Sequence, residues 1–401
     1  DVANQKDGHY DVFRKGFPVT YGDTVRVRYK DSDGKIVPFQ ELRIAQGADG
    51  SVTPFTKQYA DSGMAMEAQF SMAEAYLELA KRHRKLAKDA KKNGRIEYAK
   101  KCLKSSDLGF KRAKDLLELA INSFNEPEAV AHAHYMLGLL IYEDANEVSS
   151  KTNLEKREDM FQAALQRFIK VAGTYGDTSY GSKAQFKKAL TYEKLREPDI
   201  AAAEYVKLAY KYPDSEFLGT AMARLGFHFL RKGNALEKKF KSFVSVNGLK
   251  DVINGRHKPA EVELATWLDA QDMKKELEKE FYKSATILGK MIDRFPSHEL
   301  ATKCGLTAGH SFRKSNKRDK SVIIYKTISK NPGYDPDSRA EAMYWTGRIF
   351  LERKDMMQAY STLMQITVDF PETKWAANAR AELSKPALME LDKELELDRL
   401  K

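Results

Sequence analysis

The amino-acid sequence predicts an all-α chain: a helical repeat solenoid of about six helix pairs, with a short N-terminal β-type extension and one long projecting helical hairpin. Three observations predict it. A phrase in which acidic or hydroxyl residues follow a proline recurs as "KYPDSEFLGTAMARLGFHFLRKGN" from Lys211, "FPSHELATKCGLTAGHSF" from Phe295, "NPGYDPDSRAEAMYWTGRIF" from Asn331 and "FPETKWAANARAEL" from Phe370. The recurrence has a period: 36 residues from Pro296 to Pro332, 39 from Pro332 to Pro371, and 37 from Tyr175 to Tyr212. Spacing in this range marks stacked supersecondary units. Between the phrases, "SRAEAMYWTGRIFLER" and "DMMQAYSTLMQITVDF" carry apolar residues at helical spacing on either side of a turn at Lys354-Asp355.

The first element in chain order is an extension over residues 1–57. Its stretch "TVRVRYKDSDGKIVPF" alternates Val25, Val27 and Tyr29 with Arg26 and Arg28 and turns at Asp33-Gly34, a hairpin pattern. An isolated hairpin is marginal in water, so it is expected to pack on the first helices or pair with another chain's sheet edge. Residues 58–174 follow as degenerate helical pairs. Within them 65–124 reads as two long helices joined near Asn93-Gly94, each about 42 Å long. Apolar residues crowd the outer ends of this pair and thin out toward the turn.

Residues 175–385 hold the regular repeats, interrupted by an insertion over 235–273. From Tyr212 to Phe295 the chain runs 83 residues, 46 more than one period of 37, and the excess contains two Asn-Gly turn signals and a short helix expected over Ala260–Met273. The tail 386–401 reads as a helix with Leu388, Leu391 and Leu395 on one side. Covering the end of the array is its plainer role, and docking on a partner the sharper one.

The recurring phrase has a physical meaning. Proline ends the second helix of a unit because it cannot continue one. The neighbouring Asp or Ser accepts from the free N–H groups of the next helix; Ser338 and Glu341 have the capping-box spacing. Small residues then let the two helices of a unit approach closely. The phrase is therefore a splice between units.

At these positions the chain resembles the tetratricopeptide repeat family. Gly347, Phe350, Ala359, Leu363 and Pro371 stand at the family's small, aromatic, small, large-apolar and proline positions, as do Ala189, Tyr192, Ala201, Tyr205 and Pro213. Gly226 and Phe229 match the first half of another unit. The match covers Tyr175–Leu383, and its "YPDSEF" and "FPETKWA" junctions are most similar to the bacterial envelope branch, the outer-membrane-assembly lipoproteins and the Tol-Pal-associated coordinator. The lipidated N-terminal cysteine of those lipoproteins has no counterpart at Asp1. The resemblance implies a periplasmic or other extracytoplasmic address. It also implies a concave face lined by first helices, which would present Phe186, Lys187, Arg224, Phe227, Tyr344 and Arg348 to a protein partner. The Lys and Asn set with which co-chaperone repeats grip a terminal carboxylate is not found at these places.

Charge is unevenly placed. The chain carries a net +11 and has a mean hydropathy of -0.57. Residues 81–115 alone hold fourteen Lys or Arg against four acids, a net +10. Most of it surrounds the expected hairpin turn, with Lys91, Lys92, Arg95, Lys100 and Lys101 at the tip. A solvated helix face is one reading of this run; a site for an anionic surface, either lipid headgroups or an acidic subunit, is the other. Nucleic acid is disfavoured, because only Tyr98 and Phe110 in the span offer a stacking platform.

Catalytic and cofactor signatures are missing from the sequence. It has no HExxH, paired CxxC, haem-attachment or glycine phosphate-loop motif. His132 and His134, two apart on a helix, point about 200° apart and cannot share a metal. His228 sits in an apolar helix, where a satisfied structural histidine is expected. Cys102 and Cys304, far apart in helical patterns, are expected to be packed thiols. The longest apolar run, "YMLGLLIY", has 8 residues, too few for a bilayer span of about 20. No catalytic, cofactor or metal site is expected. The expected work is that of a non-catalytic interaction scaffold, an assembly subunit whose partners are other proteins of a larger complex.

Overall fold

A computed structural model describes the backbone of residues 24–27, 40–43, 63–148, 153–249 and 264–399, with side chains over 66–148, 153–249 and 264–393. These residues contain fourteen helices in helix–turn–helix succession and one two-stranded antiparallel sheet. By chain order that is seven helix pairs where about six were expected, because the C-terminal helix follows a further first helix. The chain divides into two compact units, Asp1–Glu197 and Pro198–Lys401.

In the first unit, strand β1 (Thr24–Val27) pairs with β2 (Gln40–Arg43), Thr24 opposite Arg43. The expected turn at Asp33-Gly34 lies outside the described residues. Helix α1 (Gly63–Lys92) and α2 (Ile96–Ser123) form the long hairpin, turning through Gly94 at φ 72°. They can lie close because the facing residues are small: Ala73, Ala80, Ala87, Ala99 and Ala113 are buried, and the Ser106 hydroxyl donates to the Ala80 carbonyl at 2.9 Å. Next come α3 (Pro127–Glu147), α4 (Leu154–Thr174) and α5 (Gly181–Lys194). Phe161, Phe168, Tyr135 and Tyr142 interlock between α3 and α4.

Helix α3 also flanks the hairpin. Lys81 pairs with Glu143, Arg84 with Asp144 at 2.8 Å and Lys88 with Glu147 at 2.5 Å. Part of the basic run is therefore met within the fold, and the hairpin continues beyond the last of these pairs.

The second unit begins with α6 (Pro198–Lys211) and α7 (Leu218–Val246). It continues through α8 (Leu264–Arg294), α9 (Ala301–Lys314), α10 (Arg318–Lys330), α11 (Pro336–Glu352), α12 (Met356–Asp369), α13 (Lys374–Leu383) and α14 (Pro386–Arg399). The expected helix over Ala260–Met273 is instead the start of α8, a single helix of 31 residues, and α7 runs for 29. The insertion thus lengthens both helices of one repeat into a second long hairpin. Phe240, Phe243, Val244, Leu249 and Ala270 pack at its far end. The Asn247-Gly248 signal is a turn with Gly248 at φ 65°, while Asn254-Gly255 lies outside the described residues.

Local geometry repeats along with the sequence. The residue that ends the first helix of a unit adopts a left-handed conformation after α5, α9 and α11: Arg196 at φ 63°, Asn316 at 58° and Lys354 at 63°. In each turn the following N–H returns to a carbonyl five residues back, as Asp355 to Phe350 at 3.0 Å, which satisfies carbonyls left open at the helix end. The start of α11 differs from the expected capping box. Pro336 has no N–H to cap, so the helix begins there, and Asp335 is the cap, accepting from the Ser338 N–H at 2.9 Å. Glu341 reaches instead toward His310, 3.4 Å away.

Glycines stand where first and second helices cross. A methyl group on Gly309 of α9 would lie 2.2 Å from Cε1 of Tyr325, a wholly buried ring of α10. At the C-terminal end of the second unit Leu388 of α14 is 2% exposed and packs with Tyr344, Leu363 and Ala379, so the C-terminal helix covers the last repeat. The side chain of Leu395 lies outside the described residues.

Two outcomes test these packing statements. Gly309→Ala destabilises by about 1–3 kcal/mol, read by chemical denaturation; an unchanged midpoint would mean that Tyr325 moves freely. His134, 7% exposed on α3, is the second. Burial, then the charges of Arg167 and Lys170, lower its pKa from 6.5 to about 4. The unfolded chain therefore takes up this proton first, and the stability present above pH 6.5 is lost as pH falls toward 4. Burial lowers His132 and His228 in the same direction. His134→Gln flattens the drop in melting temperature over that window, and an identical pH profile in the variant would remove His134 from the explanation.

Candidate functional site

Helix α11 carries Glu341, Trp345 and Arg348 at spacings of four and three, one stripe of a helix. All three are half-buried, whereas Tyr344, one residue away, is only 7% exposed. Arg348 donates from Nη1 to Glu382 Oε1 at 3.0 Å and to the Tyr344 hydroxyl at 3.3 Å. Tyr344 in turn donates to Glu382, and Lys385 Nζ lies 2.6 Å from the other carboxylate oxygen. The Tyr344 hydrogen bond, reinforced by the Glu382 charge, raises the Arg348 pKa against the effect of burial. Glu382 itself is buried. Its charge is tolerated because three donors surround it.

Around Trp345 the first helices of three successive repeats contribute one aromatic group. His310 of α9 meets the Trp345 ring edge-on at 5.1 Å; Tyr344 lies 5.7 Å from Trp345 and 5.2 Å from Trp375 of α13; the two indoles are 6.5 Å apart. The Arg313 guanidinium sits 4.4 Å over Trp345, and Lys374 Nζ 5.0 Å over Trp375. Both indole N–H groups are out of solvent and find no acceptor among the described residues. Sequence reasoning placed Tyr344 and Arg348 here but missed Trp345, Trp375, His310 and Arg313. The available signal was the i, i+4, i+7 stripe from Glu341; Tyr344 lies at its edge, about 100° round the helix from Trp345, and braces α11 against α13.

The other expected face residues divide the same way. Phe186 of α5 is 6% exposed, the equivalent of Tyr344, and is a wall of the fold. Its neighbour Lys187 is half-buried with its ammonium 5.4 Å over the Tyr142 ring, and burial lowers its pKa. In the second unit Arg224 and Phe227 of α7 are both half-buried, and Lys303 Nζ of α9 lies 5.5 Å over Phe227. The structure brings His310, Arg313, Tyr344, Trp345, Arg348 and Trp375 together.

At the hairpin turn, Lys100 pairs with Glu97 one helical turn away at 2.8 Å. Lys91, Lys92, Arg95 and Lys101 have no carboxylate partner among the described residues. The apolar contact beneath them is Ala87, Ala90, Ala99, Cys102 and Leu103.

The histidines have structural partners. His132 stacks between Phe70 (4.1 Å) and Tyr180 (4.6 Å), His134 contacts Arg167 at 3.3 Å, and His228 lies 3.3 Å from Asp199. Cys102 and Cys304 are free and buried, and burial pushes the Cys304 thiol up to about 12, far from a reactive thiolate. Among the described residues no group of three His, Cys, Asp or Glu side chains is placed to hold a metal, and no helix is long and apolar enough to cross a membrane.

The buried carboxylate makes a sharp prediction. Glu382→Ala leaves Arg348, Tyr344 and Lys385 without their shared acceptor and destabilises by about 1–3 kcal/mol, with a changed near-ultraviolet dichroism of the adjacent indoles. Glu382→Gln keeps part of both. A loss below about 0.5 kcal/mol in the alanine variant would show that these groups find water instead.

Comparison with known proteins bears on the repeats. The family pattern of the tetratricopeptide repeat matches residues 183–215 and 341–373. No curated protein matches the chain. Among solved structures, Pseudomonas aeruginosa PilF is 12% identical, covers 76% of this chain and 98% of its own, and has a TM-score of 0.32. A monomeric mutant of IFIT1 with Gppp-AAAA is 11% identical, covers 77% and 73%, and has a TM-score of 0.33. A circular tandem repeat protein is 12% identical, covers 85% and 72%, and has a TM-score of 0.30.

Proposed function

With tetratricopeptide repeats present over residues 183–215 and 341–373, we propose that the chain is a non-catalytic scaffold that binds other proteins through the first-helix face of its second unit. The observation that carries this reading is the cluster of Trp345, Trp375, Tyr344 and His310 flanked by Arg313, Arg348 and Lys374. Trp, Tyr and Arg in a packed, largely desolvated patch are the residue types that dominate binding energy at protein interfaces. Repeat arrays present such faces because stacking buries their other sides. Arg224 and Phe227 on α7 belong to the same reading as half-buried contacts of the second unit, and Lys187 on α5 is the corresponding half-buried first-helix position of the first unit.

The finer part of the proposal is the setting. The junctions "YPDSEF" and "FPETKWA" resemble those of envelope repeat proteins, which supports a periplasmic or other extracytoplasmic assembly. Two long hairpins in addition to the face favour a subunit that ties larger pieces together over a receptor for one short peptide.

A second reading is favoured by a separate observation, the four tip cations Lys91, Lys92, Arg95 and Lys101 without acidic partners among the described residues. Like charges held this close repel one another, and an anionic surface, an acidic subunit or lipid headgroups, would relieve the repulsion.

One experiment separates the two. The chain is used as bait at low and moderate salt, with captured proteins identified by mass spectrometry. Trp345→Ala with Trp375→Ala abolishes capture at both salts if the face is the site. Replacement of Lys91, Lys92, Arg95, Lys100 and Lys101 by Gln leaves capture intact, whereas a hairpin site would lose it and would already be weakened by salt. Retention of every partner by the tryptophan variant would end the first reading, and recovery of one short peptide alone would end its assembly part.

A further inference from the structure

Helix α1 has three sides, and the other described residues pack on two. One is packed on α2 through Ala73, Ala80 and Ala87, and a second faces α3 through Lys81, Arg84 and Lys88. On the third, Met72, Leu79 and Leu86 are 49%, 44% and 40% exposed. They are spaced by seven and seven, with exposed Ala68 one turn before them, exposed Ala75 between the first two and Arg82 at the edge between the last two. That is the seam of a helix–helix contact, here facing outward. An exposed apolar stripe on a helix marks a site of association.

The charge along this hairpin says what fits the seam. Its base is acidic: residues 63–79 and 115–123 contain Glu67, Glu74, Glu78, Asp115 and Glu118 and no Lys or Arg. Its outer part is basic: residues 80–114 contain fourteen Lys or Arg against Asp89, Glu97 and Asp107. A copy laid parallel on this face would set base on base and tip on tip. A copy laid antiparallel about Leu79 sets Met72 against Leu86 and each acidic base beside a basic outer half. Beside the seam, Glu78 and Arg82 then exchange partners across the axis. Within one chain those two are only 3.7 Å apart as a largely exposed i, i+4 pair. We propose that the outer face of α1 is a two-fold interface with a second copy of this chain, the α1 helices antiparallel and Leu79 on the axis. A two-fold contact must be self-complementary, and this helix is so in both apolar spacing and charge.

The test is made on the full chain by analytical ultracentrifugation and oxidative cross-linking. The proposal expects a species of twice 45.6 kDa, converted to the single-chain mass by Leu79→Glu, a change at an exposed site that leaves the circular dichroism and melting temperature unaltered. Glu78→Arg alone weakens the dimer, and Glu78→Arg with Arg82→Glu restores it. Leu79→Cys cross-links copy to copy; Met72→Cys does so only when mixed with Leu86→Cys. The buried native thiols stay out of the reaction. A chain that is monomeric, whether because its own N-terminal residues cover the face or because nothing does, overturns the proposal. So does a dimer that survives Leu79→Glu, and Met72→Cys cross-linking to itself overturns the antiparallel arrangement. These readouts do not depend on partner capture, so their failure is distinguishable from failure of the scaffold reading.

Discussion

Close approach of paired helices depends on side-chain volume that is missing at each crossing. Gly226 against Leu288, Gly309 against Tyr325 and Gly347 against Leu363 leave no room for a methyl group, and Gly138 stands in the same relation to Phe168. In the long hairpin the same work is done by a ladder of alanines with Gly109 against Ala80. With the backbones this close, a large side chain from the second helix, Leu288, Tyr325, Leu363 or Phe168, fills the space above each glycine. Interiors are packed to crystal-like density, so these positions tolerate little change. The left-handed turns after α9 and α11 accompany this close approach, since a short connection must return the chain onto a helix only a glycine's width away.

That packing leaves part of each first helix at the surface. Each unit buries two sides of its first helix on its own second helix and on its neighbours, and the third remains half-open. In α11 the half-open stripe holds Trp345 and Arg348, and the adjoining first helices supply His310, Arg313 and Trp375. The buried Glu382 anchors this patch from below by accepting from Tyr344, Arg348 and Lys385. A charge in that position holds the Arg348 fork in one orientation, which is the kind of preorganisation that reduces the ordering cost of binding.

Charge on the first hairpin is divided between two fates. Lys81, Arg84 and Lys88, spaced three and four apart on one side of α1, are each met by a carboxylate of α3, Glu143, Asp144 and Glu147. Past the end of α3 no such acids exist among the described residues. The change from paired to unpaired cations along one helix is what makes the tip different in kind from the rest of the basic run.

Much of this architecture was legible in the chain itself. Pro213, Pro296, Pro332 and Pro371 fall in turns, Gly94 turns the long hairpin, and Gly347 and Gly226 occupy crossings, because proline and glycine impose local geometry that needs no distant partner. What the chain did not disclose was everything that depends on residues far apart in sequence. Tyr344 and Phe186 read as face residues and are walls; the insertion read as an added helix and is an extension of two; the basic run read either as a solvated face or as a site for an anionic partner, and three of its inner cations meet carboxylates of α3. A periodic pattern locates a helix and its apolar side to within about one residue, which is 100° of rotation. Only the packed neighbours decide which residue of that pair is swallowed and which is left at the surface, so the repeat was determined by the sequence and the Trp345–Trp375 patch by the tertiary structure.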